Sequence, residues 1–281
     1  MGTELQAAGL EPGGCGERWN LDYPGRVLDI QRRYADAGSD ILLTNTFGGS
    51  RIALARHGLA AHAAAINRAA ARISRQAFGE SPGYVLGDIG PFGGLMEPLG
   101  DTSSAEVKEA FHEQAAILVE EGVDGIIIET QTSLDELGLA IEAARAAGAA
   151  CIIGSLSFDV TRGGKNARTM MGVDPEQAAL FLQSAGVHVA ALNCGAGVNM
   201  SWAARILARY RAVCALPLMA QPNAGSPVIE DGRIVYKESP DEMAAGIPAL
   251  IEAGARVIGA CCGSTPEHIR QFRDVLRRTE S

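Results

Sequence analysis

The feature that most constrains the fold is a regular alternation of short apolar segments with longer segments of helical periodicity. The apolar segments number seven, and each is too short to form an ordinary globular helix. They lie at 41–45, 84–87, 125–129, 151–154, 187–192, 217–221 and 257–260. Strands that are apolar along their whole length are typical of a parallel sheet covered on both faces. The alternation therefore predicts an α/β fold.

The segments between these strands repeat apolar and polar positions with the period of an α-helix. Helices are predicted at 24–37, 104–121, 134–147, 175–185, 201–213, 240–253 and 266–278. Three of them start with an N-cap residue followed by proline, at 174–175, 239–240 and 265–266. Glycine follows several helical segments, as at Gly148 and Gly186, and is expected to end them.

The resulting series of βα units contains no linker and no low-complexity stretch, so residues 1–281 are predicted to form a single domain. An open doubly wound sheet and a (β/α)8 TIM barrel both fit such a series. The number of units favours the barrel, but residues 1–22 hold no apolar run, so the first β-strand is lacking. The long polar loops at 157–172 and 221–239 follow strands, on the side where barrels carry their chemistry.

Three cysteines follow two of the predicted strands. Cys194 comes after the strand at 187–192, and Cys261 and Cys262 come after the strand at 257–260. Three thiolates at the same end of a parallel sheet suit a zinc ion that keeps one coordination position for substrate. A structural zinc site would more often have a fourth protein ligand.

An adjacent pair of cysteines imposes a condition on the backbone. Neighbouring residues of a regular strand point to opposite faces, so Cys261 and Cys262 can share one metal only if the chain bends there. Gly263 permits such a bend. The alternative is that all three cysteines are inert packing residues, which is the role predicted for Cys151 and Cys214. The location of the three at strand ends favours metal binding over packing.

The composition excludes several classes of partner. Apolar residues make up 47% of the chain and charged residues 20%, which is ordinary for a globular protein. The net charge of −9 argues against nucleic acid and anionic membranes. No segment has the length of a membrane-spanning helix, and the start shows no signal peptide, so a cytoplasmic location with reduced cysteines is expected. The five histidines show no ligand spacing, and most are expected on solvated helix faces.

Short sequence blocks along nearly the whole chain resemble those of the homocysteine S-methyltransferase family, zinc-dependent barrels that methylate a thiol. The blocks are 1–6 (MGTELQ), 44–47 (TNTF), 87–91 (GDIGP), 128–130 (IET), 193–195 (NCG), 222–225 (PNAG) and 259–263 (GACCG). Within the family, 98–101 (PLGD) and 221–225 (QPNAG) look most like the homocysteine-binding module of the cobalamin-dependent methionine synthase branch. The family's opening strand and its Asp-Gly-Gly turn, which carries a substrate-binding aspartate, are not in this sequence.

The resemblance implies that Cys194, Cys261 and Cys262 are the metal ligands and catalytic residues of a zinc site that binds the sulfur of homocysteine. A neutral thiol is a poor nucleophile, and coordination to zinc ionises it. The implied reaction is zinc-dependent methyl transfer to homocysteine, which gives methionine. An S-methyltransferase of this kind needs Zn²⁺ as its cofactor.

The resemblance also implies four substrate-binding residues. Glu129 would hold the ammonium group of the substrate, although it is also open to a capping or ion-pair role. Asn223 matches a position that supplies a fourth, displaceable zinc ligand, and the alternative is an ordinary turn asparagine. Asn45 and Thr46 would donate hydrogen bonds at the mouth of the site, or they cap the following helix.

The methyl donor implied by the resemblance is a methyl-corrinoid protein, because the methionine synthase branch takes its methyl group from methylcobalamin. The chain has no corrinoid-binding motif of its own, so a separate polypeptide would bring the corrinoid. S-methylmethionine is the second candidate donor. Two other readings stay open: a non-catalytic or truncated zinc-binding barrel subunit of a methyltransferase system, and an unrelated barrel enzyme with packing cysteines.

Overall fold

The computed structural model describes residues 1–230 and 233–279 of the chain. The strands in chain order are β1 (Ile41–Leu43), β2 (Tyr84–Ile89), β3 (Gly125–Gln131), β4 (Ile152–Leu156), β5 (Asp159–Val160), β6 (Ala167–Arg168), β7 (Val189–Asn193), β8 (Leu218–Gln221), β9 (Val228–Glu230), β10 (Arg233–Val235) and β11 (Ala255–Ile258). The helices are α1 (Gly2–Ala7), α2 (Trp19–Asp22), α3 (Pro24–Asp36), α4 (Arg51–Ala55), α5 (Ala63–Phe78), α6 (Ser104–Glu120), α7 (Leu134–Ala146), α8 (Pro175–Ser184), α9 (Met200–Val213), α10 (Pro240–Ala244), α11 (Ile247–Glu252) and α12 (Pro266–Thr279), with a 3-10 turn at Ala60–His62.

Seven of the described strands form one sheet, in the order β1-β2-β3-β4-β7-β8-β11. Each of them overlaps one of the seven apolar segments, so the strand prediction is confirmed. The pairings β1–β2, β2–β3, β7–β8 and β8–β11 are parallel. The two long polar loops contain the antiparallel hairpins β5–β6 and β9–β10. The fold class is α/β, an incomplete (β/α)8 barrel with seven strands.

The predicted helices are confirmed, except that the segment 240–253 is broken into α10 and α11. Two residues explain the break. Pro248 has no N–H for the hydrogen bond that a continuous helix requires. A Cβ at Gly246 would lie 2.6 Å from the Cβ of Met200, so α9 passes close to the chain at this glycine. The short α10 keeps the predicted N-cap, because the Ser239 side chain accepts a hydrogen bond from Glu242 N–H.

Residues 1–22 contain no strand, as predicted, but they contain the two unpredicted helices α1 and α2. Leu5 of α1 and Trp19 of α2 pack with Val27, Ile30 and Ile73 in one buried apolar cluster. Burial of large apolar side chains stabilises the folded chain by about 1.5–3 kcal/mol each. This cluster fixes the start of the chain against α3 and α5.

Two compact units make up the chain. Unit 1 comprises Met1–Gln131 and Asp135–Ile153, and unit 2 comprises Thr132–Leu134 and the chain from Gly154 onward. The prediction of a single domain over residues 1–281 stays a prediction. No helix among the described residues is both long enough and apolar enough to span a membrane.

Each unit has its own apolar packing. In unit 1, Leu42 of β1 and Val85 of β2 pack against Ala77 and Phe78 at the end of α5. In unit 2, α9 packs on α8 and β8, and the fully buried Tyr210 makes an edge-to-face contact with Phe158, with ring centroids 6.1 Å apart. The Phe158 backbone also lies close to Gly195, the residue after Cys194.

Candidate metal centre

The three cysteines predicted to bind metal lie together in unit 2. The Sγ atoms of Cys194 and Cys262 are 3.8 Å apart, and those of Cys261 and Cys262 are 3.9 Å apart. All three sulfurs lie within 4.8 Å of one another, and each cysteine is partly buried. Among the described residues, no other group of three or more histidine, cysteine or acidic side chains is so close. The sequence-predicted trio is therefore a three-thiol cluster.

Cys194 follows β7 in a backbone conformation that is rare for a residue with a side chain. Its φ angle is +56°, and that of the next residue, Gly195, is +94°. A non-glycine residue in this left-handed region costs roughly 1–2 kcal/mol. A Cβ at Gly195 would overlap the carbonyl oxygen of Phe158, so only glycine fits there. The tight turn directs Cys194 away from the line of the strand and towards the other two thiols.

Cys261 and Cys262 lie beyond the end of β11, which stops at Ile258. The chain is irregular there, and Gly263 has a φ angle of +79°. The predicted bend is therefore confirmed. A Cβ at Gly263 would overlap the ring of Tyr236, so this glycine also allows an aromatic side chain to lie against the cysteine pair.

A short segment after β8 joins the two cysteine-bearing loops through its backbone. Cys194 N–H donates to Gln221 O at 3.1 Å, and Cys261 N–H donates to Pro222 O at 2.9 Å. Ala224 N–H donates to Cys262 O at 2.9 Å. The segment 221–224 thus holds all three cysteines by their main-chain atoms.

The side chain of Asn223 completes this connection. Its Oδ1 accepts a hydrogen bond from Cys262 N–H at 3.1 Å, and its Nδ2 donates to Gly195 O at 3.2 Å. The residue is only 3% exposed. One amide group therefore bridges the loop after β7 and the loop after β11. A simple turn asparagine would not need both contacts.

The thiols differ in acidity because they hydrogen-bond to one another. The hydrogen bond with Cys194, and next that with Cys261, lowers the pKa of Cys262 to about 3, although burial opposes the shift. Tyr236 also hydrogen-bonds to Cys262 and favours its thiolate. Burial, and next the negative charge of Cys262, raises the pKa of Tyr236, so its hydroxyl stays a hydrogen-bond donor. The cluster thus stabilises a negatively charged sulfur.

The geometry fits a tetrahedral zinc ion. At a Zn–S bond length of about 2.3 Å, tetrahedral angles place two thiolate sulfurs ~3.8 Å apart. The two Sγ–Sγ distances of 3.8 and 3.9 Å match that spacing. Thiolate ligands favour soft or borderline cations such as zinc or copper(I) over hard cations such as magnesium or calcium.

The other three cysteines do not join the cluster, and all six in the chain are free thiols. Cys214 is buried, as expected of a packing residue. Cys151 is half-buried, and burial raises the pKa of its thiol. Cys15 donates a hydrogen bond to Glu17 Oε2 at 3.3 Å, and burial raises its pKa to about 11.

Glu129, Asn45 and Thr46 belong to unit 1, and all three are buried. Asn45 Nδ2 donates to Gly16 O at 2.8 Å and to Asn20 Oδ1 at 3.0 Å. The Thr46 hydroxyl donates to Asp88 O at 2.6 Å. The alternative of helix capping is wrong for Asn45 and Thr46, because α4 is capped by Ser50, whose side chain accepts from Ala53 N–H.

Sequence reasoning missed the contacts of two residues, Tyr236 and His268. Tyr236 lies in the loop after β8, and nothing in its local sequence indicates a partner among the cysteines. His268 of α12 was expected to be solvated, yet it is 5% exposed. Its Nδ1 accepts from Thr265 N–H at 3.1 Å, and its Nε2 lies 3.1 Å from Glu238 O. The one sequence signal for this contact is the position of His268, three residues after the predicted N-cap residue Thr265.

Together, the seven-stranded α/β fold and the three-thiol cluster define an incomplete barrel protein with a candidate metal centre at two of its strand ends. The profile of the homocysteine S-methyltransferase family matches residues 1–276. This chain belongs to the homocysteine S-methyltransferase family.

Individual relatives agree with that assignment. The chain is 33% identical over 298 residues to methionine synthase of Mycobacterium tuberculosis, a match that covers 96% of this chain and 24% of the relative. It is 32% identical over 305 residues to methionine synthase of Mycobacterium leprae, covering 99% of this chain and 24% of the relative. The chain therefore spans about a quarter of the length of these curated relatives.

Solved structures confirm the fold. The metallated form of the homocysteine methyltransferase MmuM from Escherichia coli has a TM-score of 0.79 to this chain at 20% identity. The match covers 98% of this chain and 93% of MmuM. The oxidized form of MmuM has a TM-score of 0.75 at 22% identity, with the same coverage.

Proposed function

We propose that this protein catalyses the zinc-dependent transfer of a methyl group to the thiol of homocysteine, giving methionine. The observation that carries the proposal is the three-thiol cluster of Cys194, Cys261 and Cys262, whose sulfur spacings suit zinc. Membership of the homocysteine S-methyltransferase family supports the choice of substrate.

A zinc ion, when bound by three thiolates, favours the ionised form of a substrate thiol at its remaining position. The chain's own residues prepare that chemistry. The hydrogen bonds around Cys262 favour a thiolate before any cation arrives. Asn223 and the segment 221–224 hold the cysteine-bearing loops together, so little reorganisation is required on binding.

The bond changes in the proposed reaction balance simply. The sulfur of homocysteine forms a bond to the methyl carbon while the bond between that carbon and the donor breaks. The proton of the substrate thiol leaves to solvent. A free thiol ionises only near pH 8.5, so stabilising the thiolate at neutral pH is the main task of the site.

The four residues with proposed substrate roles differ in what supports them. Glu129 keeps the proposed role of binding the substrate ammonium, because it is a buried carboxylate on β3. Asn223 has both amide atoms engaged with the cysteine-bearing loops, which favours a positioning role over direct binding. The hydrogen bonds of Asn45 and Thr46 within unit 1 likewise favour a supporting role.

For the methyl donor, a methyl-corrinoid protein is the first proposal. It is supported by the 32–33% identity to two methionine synthases. S-methylmethionine is the second proposed donor. The competing function is a zinc-binding subunit that does not turn over.

Metal analysis and an activity assay test these proposals together. The purified protein is expected to carry one zinc per chain. Cys261→Ala should carry well below one equivalent, while the matched control Cys214→Ala, which changes a packing cysteine, should keep it. The wild type is then assayed on homocysteine with methylcobalamin, S-methylmethionine and betaine in turn.

Methionine formed from methylcobalamin supports the corrinoid donor, and methionine formed only from S-methylmethionine reverses the order of the two donors. Zinc binding without turnover on any donor supports the subunit. Full zinc retention by Cys261→Ala would refute the site itself.

A further inference from the structure

Tyr236, which follows the hairpin β9–β10, lies against the cysteine pair of unit 2. The residue is half-buried, and its hydroxyl hydrogen-bonds to the sulfur of Cys262. A Cβ at Gly263 would overlap the Cβ and Cγ atoms of Tyr236. The tyrosine side chain therefore rests directly on the backbone that follows Cys262, and only a glycine there leaves room for it.

The chain that carries Tyr236 is attached two residues further on, at Glu238. Glu238 N–H donates to Ala224 O at 3.2 Å, and Ala224 N–H in turn donates to Cys262 O at 2.9 Å. Glu238 O lies 3.1 Å from His268 Nε2. Both backbone polar atoms of Glu238 are thus engaged, which ties the segment 236–238 to the loop after β8 and to α12.

The imidazole of His268 has one ring nitrogen for each of two partners. Its Nδ1 accepts from Thr265 N–H at 3.1 Å, so Nε2 carries the proton and donates to Glu238 O. The residue is 5% exposed, so water does not readily replace either partner. One imidazole therefore joins the start of α12 to the segment that carries Tyr236.

The hydroxyl of Tyr236 does more than packing requires. A phenylalanine ring would fill the same space beside Gly263 without it. Its partner is the central sulfur of the three-thiol cluster, since Cys262 Sγ lies 3.8 Å from Cys194 Sγ and 3.9 Å from Cys261 Sγ. Hydrogen bonds to an ionised sulfur are charge-assisted and stronger than those between neutral groups. The hydroxyl thus acts where the negative charge of the cluster is concentrated.

A hydrogen bond to a thiolate changes how much charge that sulfur gives to a bound cation. Three thiolates outweigh the two positive charges of a zinc ion, which opposes the binding of a fourth anionic sulfur. A sulfur that shares a lone pair with a hydrogen-bond donor gives less charge to the metal. The metal then favours the ionised form of an added thiol more strongly.

We propose that Tyr236 is a functional member of the metal centre, where its hydroxyl donates to Cys262 Sγ and favours binding of the substrate as a thiolate. We further propose that His268 is the positioning residue that holds the segment 236–238 in place. Both statements rest on the proposed function, which supplies a metal ion and a thiol substrate.

Cobalt(II) in place of zinc reports the charge that the sulfurs donate. Its thiolate-to-metal charge-transfer bands move to lower energy when a sulfur gives more charge. Spectra are recorded for the wild type, for Tyr236→Phe and for the control Tyr84→Phe, which changes a tyrosine that is 62% exposed. Tyr236→Phe should move the bands to lower energy, and Tyr84→Phe should leave them unchanged. Thermal unfolding shows whether each variant retains the fold.

Homocysteine and L-methionine then separate thiolate stabilisation from general damage to the site. Homocysteine presents a thiol that ionises on binding to the metal, whereas the sulfur of methionine is already methylated. Calorimetric titration should show that Tyr236→Phe binds homocysteine about tenfold more weakly than the wild type, the lower end of the range for residues that hydrogen-bond to a metal ligand. The affinity for L-methionine should stay unchanged.

Two variants of His268 test its positioning role, because each keeps a different one of its contacts. His268→Gln keeps an N–H group near the position of Nε2 and should retain the wild-type bands. His268→Asn keeps an acceptor for Thr265 N–H but is too short for Glu238 O, so its bands should move in the same direction as those of Tyr236→Phe. Equal shifts in the two variants, or a shift in neither, would overturn the positioning role.

Unchanged bands in a Tyr236→Phe variant whose wild type forms methionine would overturn the role of Tyr236 alone. Equal weakening of both ligands would also overturn it, because the tyrosine would then have only a structural role. A wild type that binds neither zinc nor cobalt would refute the proposed function and this proposal together. A wild type that shows the expected band shift and ligand difference but forms methionine with none of the donors would refute the proposed function and leave the role of Tyr236 supported.

Discussion

Replacing Asn223 with alanine tests whether one amide group holds the candidate metal centre together. The side chain accepts from Cys262 N–H at 3.1 Å and donates to Gly195 O at 3.2 Å. Alanine removes both contacts and leaves the backbone of the segment 221–224 unchanged. At 3% exposure, solvent does not readily replace the lost partners.

The expected loss of stability depends on which hydrogen bonds Cys262 N–H and Gly195 O keep after the substitution. Cys262 N–H loses its acceptor, which costs about 1–3 kcal/mol for a buried donor. Gly195 O keeps a second, long hydrogen bond from Val198 N–H at 3.4 Å, so the loss of the hydrogen bond from Asn223 costs only about 1 kcal/mol. The free energy of unfolding should therefore fall by about 2–4 kcal/mol. Zinc affinity should fall about ten- to a hundredfold, as is typical when a residue that orients a ligand is removed.

Two measurements check this reasoning. Denaturant unfolding of the zinc-free protein reports the loss of stability, and competition with a chromophoric chelator reports zinc affinity. Asn166→Ala, at an exposed loop position of unit 2, serves as the control and should match the wild type in both. If Asn223→Ala keeps the wild-type unfolding free energy and zinc affinity, the amide does not connect the two loops in solution.

Two further variants probe other features of the structure. Gly195→Ala should destabilise the protein by about 2–4 kcal/mol and weaken zinc binding, because its Cβ would overlap Phe158 O. Gly197→Ala is the control. Gly197 has a similar φ angle of +75°, but a Cβ there would meet only Val160 at 3.4 Å, so this variant should lose only the stability that the unfavourable φ angle costs. An equal loss of stability in the two variants would contradict the overlap with Phe158 O. Burial raises the pKa of the Glu136 carboxyl from 4.5 to about 7. The folded state therefore holds a proton on Glu136 that the unfolded state has already lost, and the stability that this proton contributes disappears as pH rises from about 4.5 to 7. The free energy of unfolding of Glu136→Gln should therefore exceed that of the wild type by up to about 3 kcal/mol at pH 8 and by much less at pH 4.5. Thermal unfolding at both pH values measures this difference, and a difference that does not change with pH would contradict the reasoning.

The strands and the three-thiol cluster were predictable because their signals are local. Each parallel strand is an apolar run, and a cysteine at the end of such a run can be located in the sequence alone. The break between α10 and α11 was also accessible, since Gly246 and Pro248 stand inside the periodic segment. Helical periodicity alone predicts one helix over 240–253, and that prediction is wrong.

The remaining parts of the site depend on contacts between distant segments. Asn223 carries the signature of a turn, and only the fold reveals that its amide lies between two loops. Tyr236 contacts the cysteine pair because Gly263 leaves room for its ring. The backbone of Glu238 joins Ala224 and His268 only in the folded chain. None of these features has a sequence period or spacing that would reveal it.

The thiols of Cys194 and Cys262 are 68 positions apart in the chain but 3.8 Å apart in space. A metal ion that ties them together would act as a removable cross-link around α9, β8, α10, α11 and β11. In the chain-entropy treatment of cross-links, closing a loop of this length restricts the unfolded chain by about 4 kcal/mol. With the metal bound, this stretch would unfold only as one cooperative unit. Removal of the metal by a chelator would allow its parts to unfold separately, without any change in sequence.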